Sequence, residues 1–408
     1  MQTLSSNELT ITILALLLLL ISSFICGKIF ELIKAPKVIG EIVGGMLLGG
    51  SCLGLIYPEL FELIYNGYNG EQKLLDIFYQ LGLMLLMFSS GYSTQINIGK
   101  ENLNTYTKLF IGATFIPTLL GMPFIKMYST EFIGVANNYE AYALVFLISM
   151  SITSIPVISK IFFDIDMMNT KFSNMVLSVS TVQDLCLWIA LNLSISLVSG
   201  EELNLVKFIS ITILTIGLLV GVRIIEEVVN KKHIHIKNNV ISISIITLLI
   251  ITYTLDKLNI NIMYSSFIAG YLMKALAGED SNDILKIKDF AFAFFIPIYF
   301  ALVGIKLDVV HNLSLIRFIV FFIIAFTAEF IGTVLVMWFS KLNKKAVISL
   351  GITMNARGGP GIVLATTAYA NGIISIEFFT VLIITTMLSS AIAGYWLRIF
   401  KNDIINEG

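Results

Sequence analysis

The sequence predicts an all-α polytopic membrane protein of about thirteen transmembrane helices, and three observations carry that prediction. Hydrophobic residues make up 57% of the 408 residues and charged residues only 13%, with a mean hydropathy of +0.89. Soluble domains carry about 25% charged residues, so there is too little polar surface here to coat a water-soluble particle. Apolar stretches long enough to cross a hydrocarbon core of about 30 Å recur along the whole chain. Finally, lysine and arginine alternate between successive inter-span segments: of 26, nineteen fall in one set, six in the other, and Arg357 within a span. Because cytoplasmic loops carry the basic excess, the N-terminus is expected outside and the C-terminus inside, in the cell membrane.

The stretches follow in order. The first, near 8–27, could be mistaken for a signal peptide, but residues 1–10 contain no Lys or Arg and the basic leading region is missing. The second, near 38–57, holds the glycine run Gly40–Gly50 with a GxxxG at Gly45 and Gly49, a pattern that lets helix backbones approach closely. The third and fourth lie near 74–92 and 104–125. The fifth, near 140–162, carries Ser149-Met-Ser-Ile-Thr-Ser-Ile-Pro156, and the sixth, near 172–198, carries Asp184. The seventh, near 204–225, leads into a basic loop with His233 and His235. Stretches near 238–256, 259–277 and 287–305 come next, then 315–340 with Glu329 and 346–370 with Asn355-Ala-Arg-Gly-Gly-Pro-Gly361. The last, near 376–398, contains Thr385, Thr386, Ser389 and Ser390.

Several function classes drop out. A net charge of −1 without a basic block argues against nucleic-acid binding. Cys26, Cys52 and Cys186 lie in apolar stretches and form no CxxC, so they read as small core residues rather than a disulfide or metal set. No Walker loop, HExxH, GxSxG or Cys/His cluster is present, so the chain is not expected to be an enzyme or to hold a cofactor beyond a transported ion.

Four ionisable residues sit well inside spans: Glu41, Asp184, Glu329 and Arg357. Each costs roughly 2.5–3.5 kcal/mol near the bilayer centre on insertion scales, so such groups face protein or water and mark ion or proton paths. A structural ion pair or a polar plug between helices is the bland alternative, favoured for Glu41, which lies near a helix end among glycines where water is expected to reach it. Two spans also carry helix-breaking chemistry at mid-depth, Ser149–Pro156 and Asn355–Gly361. Proline removes a backbone donor and glycine lowers the cost of unwinding, while carbonyls freed in lipid are intolerable unless they line a cavity or pack on protein. The two broken spans are seven apart and cross the bilayer in opposite directions. Interrupted helices at matching positions of two inverted halves point to a transporter's binding site.

In sequence order the chain shows Ala35-Pro-Lys-Val-Ile-Gly-Glu-Ile-Val-Gly-Gly-Met-Leu-Leu-Gly49, Leu81-Gly82 through Gly91, Thr153-Ser154-x-Pro156-Val157, Val182-Gln183-Asp184, Phe267-Ile-Ala-Gly270, Phe295-Ile-Pro-Ile-Tyr-Phe-Ala-Leu-Val-Gly304 followed by Leu307-Asp308, and Arg357-Gly358 with Gly372-Ile-Ile374. Together these motifs resemble the second branch of the monovalent cation/proton antiporter superfamily, the sodium/proton and potassium-efflux type. The resemblance implies a core (approximately 104–198 and 315–398), a scaffold that forms a homodimer (approximately 8–92 and 238–305), a linker helix (approximately 204–225) and an elevator-like motion. It assigns Asp184 as the site held alternately by an alkali cation and a proton, and Thr153 and Ser154 to the unwound stretch. Gln183 stands where electrogenic members have a first acid, and Glu329 where they have a lysine. With one carboxylate per cycle, Na⁺ or K⁺ exchanges for one proton without net charge movement, unless Glu329 serves as a second acid. Asn355 is expected to add a neutral ligand and Arg357 to balance charge. Relatives often read R-G-E where this chain has Arg357-Gly-Gly-Pro, a departure that keeps a proton-coupled exporter of a small organic solute, or a non-transporting sensor, as alternatives.

Overall fold

In the computed structural model each expected apolar stretch forms one helix or two half-helices. The structure describes residues 6–66, 69–93, 103–168, 170–198, 205–232, 236–258, 260, 262–278, 281–340 and 342–405; His233 and His235 lie outside them. The principal helices are α1 (Ser6–Leu32), α2 (Lys37–Leu48), α3 (Asn69–Tyr92), α4 (Leu103–Phe132), α5 (Tyr139–Ser149), α6 (Ile155–Asp164), α7 (Lys171–Val198), α8 (Leu205–Lys232), α9 (Val240–Asp256), α10 (Ile262–Ala277), α11 (Asn282–Ile305), α12 (Leu315–Met337), α13 (Lys344–Met354), α14 (Gly358–Ala370) and α15 (Ile376–Ile405). Among the described residues eight helices are long and apolar enough to cross a membrane unbroken. The only β-pairing described is a single bridge between Ile133 and Ile374.

The chain divides into two compact units, residues 1–33, 37–94 and 209–311 in the first, and 34–36, 95–208 and 312–408 in the second. In the first unit, glycines bring backbones into contact. A Cβ on Gly45 would collide with the Ala301 carbonyl, and one on Gly304 with that of Ile42, so the GxxxG of α2 packs directly on α11. In the same unit Met84, Phe88, Val240, Leu248, Ala269, Met273 and Ile284 make a buried apolar cluster. Glu41 is buried and pairs with Lys37 one turn earlier at 3.2 Å. Ile13, Leu17, Ile21 and Phe24 of α1 are exposed, as expected of a lipid-facing stripe. Cys26 is buried, whereas Cys186 on α7 of the second unit is exposed.

The second unit contains both broken spans. Asn138 begins α5 by accepting from the Ala141 N–H at 2.9 Å, and Asn343 begins α13 by accepting from the Ala346 N–H. Asparagine caps satisfy donors that a helix start otherwise leaves orphaned. The half-helices are 11, 10, 11 and 13 residues long. At 1.5 Å per residue, eleven residues span about 16 Å, roughly half a hydrocarbon core, which puts each break at mid-depth. At one end the aromatic rings of Phe132 and Phe378 stack at 4.4 Å and Arg317 forms a forked pair with Glu377 at 2.6 and 3.0 Å.

Candidate functional site

Non-helical segments interrupt the two broken spans at residues 150–154 and 355–357, and these segments meet. The Ser154 N–H donates to the Ala356 carbonyl at 2.6 Å, and the Thr153 hydroxyl to the Met354 carbonyl at 2.6 Å. Each break therefore satisfies backbone groups that the other leaves free, which is how irregular chain becomes tolerable at membrane depth. Gly358, the first residue of α14, has φ +38°, and a Cβ there would strike the Ser154 hydroxyl. Its N–H donates to the Ser390 hydroxyl of α15 at 3.1 Å. The Asn355 side chain donates to the Gly351 carbonyl at 2.9 Å, leaving its own Oδ1 without a partner.

Arg357 is fully buried at the start of α14. A cation at a helix N-terminus opposes the macrodipole, so its placement needs compensation. One guanidinium nitrogen supplies three contacts: Glu329 Oε2 at 3.3 Å, the Ala325 carbonyl at 3.0 Å and the Met150 carbonyl at 3.5 Å. Met150 closes α5, where the dipole leaves partial negative charge. The Thr153 hydroxyl also lies beside the Glu329 carboxylate. Arg357 thus joins α12 to both breaks.

Asp184 is the fourteenth residue of the 28-residue α7, half-way along it. It is 2% exposed, and its Oδ1 has no hydrogen-bond partner. The two buried acids of this unit therefore differ: Glu329 has a fixed counter-charge and Asp184 has no ion-pair partner among the described residues. Gln183 turns toward α4, its amide donating to the Ala113 carbonyl at 3.1 Å while its Oε1 has no partner. That contact has a local cause. Pro117 has no N–H to offer the carbonyl one turn back, and the helix passes through a π-helical turn at Ile111–Phe115.

The structure thus places Thr153, Ser154, Asn355, Arg357 and Glu329 in one connected cluster, and Asp184 and Gln183 on α7, which packs against α13 and α14. Among the described residues no three His, Cys, Asp or Glu side chains converge. Sequence reasoning missed the carbonyls of Met150 and Ala325 as Arg357 partners and that of Ala113 as the Gln183 partner. Pro117 was the available signal for the last.

Residues 10–402 match the model of a family described as sodium/hydrogen exchanger, transmembrane. Among curated relatives, a Na⁺/H⁺ antiporter of Enterococcus hirae is 24% identical, over 95% of this chain and 98% of that protein. The K⁺/H⁺ antiporter 1 of Saccharomyces cerevisiae is 25% identical, over 99% of this chain and 48% of that protein. The fold is similar to that of the solved sodium proton antiporter MjNhaP1 of Methanocaldococcus jannaschii, with TM-score 0.66 and 19% identity, covering 98% of this chain and 100% of that one.

Proposed function

Because the chain belongs to the sodium/hydrogen exchanger family, we propose that it exchanges a monovalent cation, Na⁺ or K⁺, for a proton at Asp184. The observation that carries this reading is the contrast between the two buried acids. A carboxylate in a buried site is costly unless a counter-charge neutralises it. Glu329 has Arg357 at 3.3 Å. Asp184 has no ion-pair partner among the described residues, so a proton or an alkali cation must supply the missing charge. The two exclude each other, and that competition is the coupling. An alkali ion prefers hard oxygen ligands, which the deprotonated Asp184 offers together with the Gln183, Asn355, Thr153 and Ser154 oxygens. The ends of the half-helices add partial charges.

One exchanging carboxylate implies one proton per cation. Such a cycle moves no net charge and escapes the term of about 2.3 kcal/mol per charge per 100 mV of membrane potential. The core helices (approximately 104–198 and 315–398) carry the site between the two sides, while the scaffold helices (approximately 8–92 and 238–305) hold a homodimer in the cell membrane. The N-terminus lies outside and the C-terminus inside, an orientation that the basic-residue alternation supports.

The test is reconstitution in liposomes containing a pH dye, with Na⁺, K⁺ or Li⁺ added outside. Wild type should move protons on cation addition and Asp184→Asn should not. Equal responses from the two proteins would sink the shared-site mechanism.

A further inference from the structure

Several buried threonines in these helices turn their hydroxyl back onto the preceding turn: Thr353 donates to the Ser349 carbonyl at 2.6 Å, Thr181 to that of Leu177 at 2.9 Å and Thr380 to that of Ile376 at 2.8 Å. Thr333, like Thr385 on α15, makes no such bond: it is fully buried in α12, and its Oγ1 has no partner among the described residues. Leaving a buried hydroxyl unpaired is unfavourable, so the position calls for an occupant that can accept or donate a hydrogen bond.

The surroundings identify its neighbourhood. A Cβ on Gly112 would lie 2.8 Å from the Gly332 carbonyl and 3.1 Å from the Thr333 Cα, so α4 and α12 touch at Gly112, Gly332 and Thr333. The next residue of α4 is Ala113, whose carbonyl accepts from Gln183. Gln183 Oε1 is buried and equally without a partner. Thr333 and Gln183, each with an orphaned neutral oxygen, thus meet α4 at the consecutive residues Gly112 and Ala113, and Gln183 directly precedes Asp184 on α7. Glu329 sits one helical turn before Thr333 and is already countered by Arg357, so the α4–α12 contact itself offers no net charge.

We propose that Thr333 is a specificity-determining residue for the exchanged cation: its hydroxyl and the Gln183 carbonyl oxygen hold a water molecule retained by the ion bound at Asp184. A neutral station of this kind sets how much of its shell an ion must shed, and so discriminates among Li⁺, Na⁺ and K⁺. The inference rests on the exchange reading above.

The test uses the full chain in proteoliposomes with an internal pH dye, titrating Li⁺, Na⁺ and K⁺ separately for wild type, Thr333→Val and Thr333→Ser. Valine keeps the volume and removes the hydroxyl. It should raise KM for at least one cation by about tenfold and change the ranking of the three, with kcat within about twofold. Serine should restore the wild-type ranking. If valine destabilises the protein, the ranking given by Thr333→Ala and the cation-induced shift of its Tm in detergent take the place of those readings. Wild-type KM values for all three cations in a folded hydroxyl-free variant would overturn this proposal alone. A wild type that moves no protons on addition of any cation would overturn the exchange reading with it.

Discussion

Arg357 and Glu329 lie 3.3 Å apart with both side chains sealed from solvent, whereas Asp184, the other buried acid of the same unit, has no ion-pair partner among the described residues. The pairing separates two roles that the sequence alone leaves open for both acids. Arg357 is shared between the carboxylate and the carbonyls of Ala325 and Met150, so it ties α12 to the two breaks as well as balancing charge.

Removing one partner of that pair should therefore be severe. Glu329→Met or Arg357→Met leaves an uncompensated buried charge and is expected to cost about 3–5 kcal/mol, read as a lowered melting temperature in detergent. The double variant should recover only part of the loss, because the Ala325 and Met150 carbonyls still lose the arginine's N–H. Full recovery would show that the arginine's carbonyl contacts contribute nothing.

Gly358 and Gly359 offer a matched pair of alanine substitutions. Gly358 has φ +38° and a Cβ there would strike Ser154, while a Cβ on Gly359 meets nothing within 4 Å. Strain of this kind costs of order 1–3 kcal/mol before any collision is counted. Gly358→Ala should lower the melting temperature and abolish cation-driven proton movement, and Gly359→Ala should melt close to wild type. Comparable losses at both positions would contradict the close approach of the two breaks.

Much of this was legible in the sequence, for identifiable reasons. Apolar length places helices, and the positions of Pro156, Pro360 and the glycines near 358–361 mark the breaks, because these residues act on their own backbone. The GxxxG at Gly45 reads correctly as packing for the same reason. The partners of Arg357 were not legible: carbonyls of Met150 and Ala325 belong to any residue type, so no letter of the sequence announces them. Neither was the pairing of Glu329 with Arg357, which depends on the approach of α12 to the second break and not on spacing along one helix. The absence of a bond at Thr333 is visible only against the neighbouring threonines that do make one.

Outside the spans, Asp308 gives a pH signature. Burial pushes its carboxyl up, but the His311 side-chain and backbone hydrogen bonds, the His311 charge and the Val310 N–H together hold it below its usual value. His311 Nδ1 lies 2.8 Å from the carboxylate. A carboxyl lowered on folding contributes stability above its unfolded value of ~3.9 and loses it as pH falls through the folded value. Wild type should therefore lose melting temperature on acidification below about pH 4, and Asp308→Asn should show a shallower acid limb. An unchanged limb would mean that the His311 contacts do not persist in solution.

Gln183 carries two separable duties, and Pro117 makes them testable apart. Its amide N–H satisfies the Ala113 carbonyl that Pro117 cannot reach, while its Oε1 is left for the site. Gln183→Leu orphans that carbonyl and should cost about 1–3 kcal/mol. Adding Pro117→Ala supplies the missing backbone donor, so the double variant should regain most of the melting temperature. Transport should not follow: a leucine presents no oxygen, and the cation's apparent KM should stay raised about tenfold in both variants. Recovery of KM together with stability would reduce Gln183 to a structural support for α4 and leave Asp184 without its neutral neighbour's help.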